Sequence, residues 1–130
     1  MSSVPTGSEL IRPFLPCQDR AASTRFYEAL GLKKLAVGDD VAIFSAGSGG
    51  FLLTDSHHGS LGGMFMMQLM VDDVDAWWAH IDGLDLPAAF GVPAPRAPAL
   101  QPWGLRIAFV VDPSGILWHV AQRREGVPQD

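Results

Sequence analysis

A single cysteine is all that this chain of 130 residues contains. Cys17 cannot close an internal disulfide, and no cysteine-rich metal motif can be built around it. Charge is also sparse, at 18% of residues, and it leans negative, with a formal net charge of −5. Phosphate backbones are gripped by clustered Lys and Arg, and the adjacent pair Arg123-Arg124 near the C-terminus is no such cluster, so nucleic acid is not an expected partner. An acidic surface attracts cationic ligands at long range. No apolar run approaches the roughly 18 residues that span a bilayer. Residues 1–10 (MSSVPTGSEL) have neither the basic start nor the apolar core of a signal peptide. The expectation is a soluble cytoplasmic protein with no membrane partner. Missing too are a Gly-x-Ser-x-Gly elbow, a Cys–His pair at a known spacing and a pair of catalytic carboxylates.

The chain does hold ample apolar residues, 48% of the total, enough for one domain with its own core. It also repeats. Phe44–Thr54 (FSAGSGGFLLT) and Phe109–His119 (FVVDPSGILWH) align at an offset of 65, with Phe44 on Phe109, Gly50 on Gly115 and Leu52 on Leu117. FLPCQD (Phe14–Asp19) and QLMVDD (Gln68–Asp73) align at an offset of 54. One small unit is used twice, and two such units enclose a groove.

Residues 11–17 alternate loosely and read as a strand, and their two prolines suit an edge position. Asp19 is an expected N-cap for a helix that places Ala22, Phe26 and Leu30 on one face and stops at Gly31. Strands are expected at 32–38, 40–46 and 50–55, separated by Gly-rich turns. Gly47–Gly50 lacks the Lys and the helix of a phosphate loop and reads as a hairpin turn. In the second unit MFMMQLMV is a strand, and Asp73 caps a helix with Val74, Trp77, Trp78 and Ile81 on one face. A weaker strand is expected near Ala88–Val92. PAPRAPALQPWG is expected to be a loop, and LRIAFVVD, DPSG and ILWHVAQ a closing hairpin.

Each unit is thus β-α-β-β-β. This order, with LPCQDRAASTRFYEALGL and APALQPWGLRIAFVVDPSGILWHVAQ, resembles the glyoxalase, bleomycin-resistance and extradiol dioxygenase superfamily (vicinal oxygen chelate proteins), and within it the bleomycin-resistance branch. The resemblance implies an α+β fold in which two βαβββ modules form curved mixed sheets around a cavity, often completed by homodimerisation. The division it suggests is a tail at 1–10 and a single domain at 11–122. Within the domain, module one is about 11–55, the linker 56–63 and module two about 64–122; a second tail covers 123–130.

Metal-dependent members of that superfamily hold a divalent ion with two side chains per module. One lies seven residues before the helix-capping Asp and one on each last strand. Carried over, those positions are Arg12, Thr54, Met66 and His119. Arginine offers no lone pair and a thioether suits softer ions, which leaves His119 as the one good ligand. Gln68, two residues on from Met66 and on the same strand face, is the candidate that partly repairs the set. Asp55 should point to the other face, and His57 and His58 lie in the linker. The expectation is therefore no metal cofactor, with a divalent ion on Gln68 and His119 as the alternative.

By strand alternation the cavity face carries Arg12, Phe14, Met66, Gln68, Met70, Leu117, His119 and Ala121. The opposite face (Leu15, Met67, Leu69, Val71, Ile116, Trp118, Val120) is apolar and should pack on the helices. An apolar wall with a few polar groups suits a small molecule. His119 reads either as a base or ligand anchor with its pKa lowered by Arg12, or as a side chain bonded across the sheet. Trp103, in the proline-stiffened loop, reads as a ligand-stacking aromatic or as a cover on the sheet edge.

Two function classes follow. The first is a metal-free homodimeric protein that binds and sequesters a small molecule, such as an antibiotic, through Arg12, Phe14, Met66, Gln68, Trp103 and His119. The second is an enzyme of the same fold, a glyoxalase-like lyase or isomerase or a dioxygenase, metal-dependent or using His119 as general base.

Overall fold

The computed structural model describes residues 5–7, 12–38, 41–54 and 65–123. The linker candidates Asp55, His57 and His58, and both tails for the most part, lie outside the described residues. The elements run β1 (Phe14–Pro16), α1 (Arg20–Leu30), β2 (Lys33–Val37), β3 (Val41–Ala46), β4 (Gly49–Thr54), β5 (Met66–Val71), α2 (Val74–Gly83), α3 (Leu86–Phe90), β6 (Arg96–Leu100), β7 (Arg106–Val111) and β8 (Leu117–Gln122). They make two four-stranded mixed sheets, β1-β4-β3-β2 and β5-β8-β7-β6. In each, the first strand of the module pairs parallel to the last, Leu15 opposite Leu53 and Leu69 opposite Val120. The helix between them is the crossover that a parallel pair requires.

Local chemistry fixes both long helices where the sequence places them. The Asp19 carboxylate accepts from the Ala22 N–H at 3.1 Å, and that of Asp73 from the Ala76 N–H at 3.0 Å, each satisfying a donor that the first turn leaves free. Gly31 closes α1 at φ 101°, which lets its N–H and that of Leu32 reach back to Glu28 and Tyr27.

Strand alternation sorts the core as expected. Leu15, Leu53, Phe44 and Phe51 from the first sheet join Phe26, Tyr27 and Leu30 of α1. They are continuous with Val71, Val110, Trp118 and Val120 of the second sheet and with Val74 and Ile81 of α2. Trp77 and Trp78 are partly buried against this cluster.

The modules are joined by polar bonds inside that core. The Tyr27 hydroxyl, on α1, donates to the Asp112 carboxylate at 2.6 Å and accepts from the Trp118 indole N–H at 2.9 Å. The other Asp112 oxygen accepts from the Ser114 and Ile116 N–H groups at 2.8 and 2.9 Å. The Gln18 N–H adds a bond to the Ser114 hydroxyl at 3.0 Å. A second tie joins the helices, where His80 Nε2 donates to the Leu30 carbonyl at 2.8 Å. Burial raises the Asp112 pKa and the hydrogen bonds on its carboxylate pull it back; burial and the Asp112 charge push that of Tyr27 well up.

Two expectations fail. Residues near Ala88–Val92 form no strand: Leu86–Phe90 is helical, with a proline in its first turn and Gly91 in the left-handed region at its end. Proline presets helical φ where no N–H partner is needed, so the segment is a short helix. The proline-rich stretch is not wholly loop either, since Arg96–Leu100 is β6. It lies at the outer edge of its sheet and its pairing with β7 slips between Arg96 and Ala99, around Pro98. An edge strand with a bulge tolerates a residue that has no N–H to donate.

Removing the hydroxyl in Tyr27→Phe leaves a buried carboxylate oxygen and the Trp118 N–H without their partner. We expect a loss of about 1–3 kcal/mol of folding free energy, read as a lowered urea midpoint with unchanged slope.

Candidate functional site

Helices cover one face of each sheet, and the other face carries the candidate residues. On the second sheet Gln68 of β5 lies opposite His119 of β8, His119 opposite Phe109 of β7, and Phe109 opposite Arg96 of β6. Residues directly opposite share a face, so these four form one row across the whole sheet. With strands about 4.8 Å apart, the row is about 14 Å long. The Phe109 and His119 rings meet edge to face, with centroids 4.9 Å apart and planes at 77°. On one side of the row lie Met66, 67% exposed, and Leu117; on the other are Met70 and the buried Ala121.

His119 is half-buried, and burial lowers its pKa from the ordinary 6.5 because desolvation disfavours the charged ring. The expected lowering is present, but its cause is burial and not the Arg12 guanidinium. Arg12 lies two residues before β1, and its aliphatic stem passes over Gly50; a Cβ on Gly50 would sit 3.5 Å from Arg12 Cδ and would clash with the Phe44 carbonyl oxygen. That glycine is required for close approach, not for its φ. Beside it Phe14, Leu52, Ile43 and Ala36 face one another across four strands, and Phe14 is 60% exposed.

Within one chain these residues do not all converge. Phe14 and Thr54 belong to the first sheet, and Arg12 lies just before it; Met66, Gln68 and His119 belong to the second. Trp103 is 56% exposed in the β6–β7 turn, which the Gln101 N–H closes onto the Leu105 carbonyl at 2.8 Å. A groove of ≈ 930 Å³ does run between the modules, lined among others by Lys33, Ser48, Gln68, Met70, Trp77 and Arg123. Of the candidate residues only Gln68 reaches it, from the free edge of β5.

Phe109 and Arg96 are the members of the row that sequence reasoning did not pick out. Alternation in LRIAFVVD does put Phe109 on the face of Ile107 and away from Ala108 and Val110. Arg96 had no such signal, because its strand was hidden by prolines.

The donor set for a divalent ion is thin. Of Arg12, Thr54, Met66 and His119, only His119 is a good ligand, and Gln68 is the sole amide opposite it. Among the described residues no three His, Cys, Asp or Glu side chains come together. A catalytic zinc site uses about three protein ligands, so these residues do not fit a resident ion of that kind.

A two-module α+β fold, with one face of each sheet free of helices among the described residues, is thus the setting of the site. The family profile of the glyoxalase/bleomycin resistance protein/dioxygenase superfamily matches residues 10–120, and the chain belongs to that superfamily. Among solved structures it is similar to a bleomycin-binding protein complexed with bleomycin, at 28% identity over 90% of this chain and 100% of that one, with a TM-score of 0.76. A bleomycin resistance determinant encoded on the transposon Tn5 is 25% identical over 90% and 99% of the two chains, with a TM-score of 0.70. The antibiotic-binding protein TnmS3 from Streptomyces sp. CB03234, 24% identical over 92% and 100%, shares the fold with a TM-score of 0.71. No curated protein sequence matches the chain.

The direction of the His119 shift sets its pH behaviour. The unfolded chain takes up the proton first, so stability is lost as pH falls through about 6.5 toward the lower folded value. We expect the His119 ring to titrate by NMR with a midpoint below 6.5. We also expect the wild type to lose stability relative to His119→Gln on acidification over that window.

Proposed function

We propose that this is a small-molecule-binding protein of the bleomycin-resistance kind, cytoplasmic and without a resident metal, which protects by sequestration. The observation that carries the reading is the uncovered face of the second sheet, where Gln68, His119 and Phe109 form a mixed polar and aromatic row between apolar Met66 and Met70. Such a wall is what a small-molecule site offers. A homodimer would complete the groove by setting Arg12, Phe14 and Thr54 of one copy against Met66, Gln68 and His119 of the other. The exposed Phe14 and Met66 support this, since large apolar groups on two uncovered faces favour burial against a partner. Two similar structures are described as binding bleomycin or conferring resistance to it, so bleomycin is the first ligand to try.

A second reading is favoured by one observation: a neutral, half-buried imidazole beside an amide is a usable general base. In that case the protein is a lyase, isomerase or dioxygenase of the same fold, metal-free or with an ion on Gln68 and His119.

Calorimetric titration with bleomycin, together with light scattering to weigh the particle, tests the first reading. We expect a dimer, saturable binding, and a weakening of about 1–3 kcal/mol in Trp103→Ala, the size of a hot-spot aromatic. A monomer that binds nothing sinks it. His119→Ala should alter affinity modestly and not abolish it. Metal content by mass spectrometry, on protein purified without chelator or nickel, should fall well below one divalent ion per chain; one ion per chain would favour the enzyme.

A further inference from the structure

The charges on the strands are sorted by face. Among the described residues no strand in either sheet contains an Asp or Glu. The strand cations Lys34 and Arg106 point to the helical side, and each has a carboxylate there: Glu28 at 3.2 Å and Asp75 at 2.9 Å. Arg96 is different. It shares the uncovered face with Phe109, is exposed, and makes no hydrogen bond or ion pair among the described residues. Lys33, paired in register with Ser45 on the uncovered face of the first sheet, likewise has no carboxylate partner among them. A chain with a net charge of −5 thus keeps the described acidic residues on its helices, their ends and one buried turn, and leaves uncovered faces whose described charges are positive.

From this we infer that the site takes an aromatic acid: a flat ring system against the Phe109–His119 pair, with its carboxylate on Arg96. The inference rests on the small-molecule reading above and reverses the preference for cations that the net charge alone suggests. Distances agree with it. His119 and Arg96 are two strand spacings apart, about 10 Å, close to the length of a two-ring aromatic with one acidic substituent. A planar guanidinium donates two parallel hydrogen bonds to a carboxylate, a geometry that an amide or an ammonium group on the ligand cannot reproduce. Gln68, at the far end of the row, is left to bond a neutral polar group.

Three probes of one shape separate charge from shape: 2-naphthoate, 2-naphthamide and 2-naphthylmethylammonium, titrated into the full chain and followed by naphthalene fluorescence. The acid should bind about tenfold or more tighter than the amide, as a hydrogen bond to a charged group implies, and the ammonium weakest of all. Arg96→Gln should bring acid and amide together while His119 and Phe109 backbone resonances still shift with either. Equal affinity for the three, or a preference for the ammonium, overturns the inference and leaves small-molecule binding intact. A preference for the acid that survives Arg96→Gln also overturns it, by giving the charge to another residue. If none of the three binds, this inference falls, while the small-molecule reading stands or falls with the bleomycin titration.

Discussion

One hydroxyl is the polar centre of the core that the two modules share. Tyr27 projects from the first helix into the second module, where its oxygen accepts from the Trp118 N–H and its hydroxyl donates a hydrogen bond to Asp112. Asp112 in turn ties down the turn leading into the last strand. The Tyr27 ring also packs edge to face on Phe51, 4.9 Å between centroids, and lies 5.6 Å from the indole of Trp118. The bond network and the aromatic cluster are therefore one object. Low dielectric strengthens each bond there and makes each missing partner costly. The network fixes the start of β8, and with it the strand on which His119 stands.

That arrangement explains why the functional face can remain uncovered. Each sheet meets the helices and the other module through a single face, and the buried apolar residues sit almost entirely on that side. The second face buries Ile107 and Ala121 but also carries a histidine, an amide and an arginine with no ion-pair partner among the described residues. Gly50 shows the same division: its missing side chain makes room for the stem of Arg12 against the backbone of Phe44, a concession to the uncovered face in a strand whose other side is core.

Much of this was legible in the residues. The repeat, the two capping aspartates and the period-two pattern identified both modules, the helices and the inward faces. Those are signals carried by residues close in sequence. The cross-module network was not legible, because Tyr27 and Asp112 are 85 positions apart and nothing local marks their pairing. Asp112 read as a turn residue, which it also is. Arg96 was missed for another reason: the prolines around it argue against a strand, and an edge position with a slipped register is the context in which that argument fails. For His119 the direction of the pKa shift followed from its place in the fold, while the cause did not, since burial depends on the packing of the whole face.

The proline in β6 has a consequence for how the second sheet can be extended. An incoming strand needs a regular run of free N–H and carbonyl groups, and β6 interrupts that run around Pro98, where its register with β7 slips. The opposite margin, β5, has neither proline nor slip from Met66 to Val71. Among the described residues the sheet therefore has one interrupted margin and one regular margin. Growth by strand addition is directed to the margin beside Gln68 and away from the one beside Arg96, which gives an otherwise symmetric pair of modules a polarity.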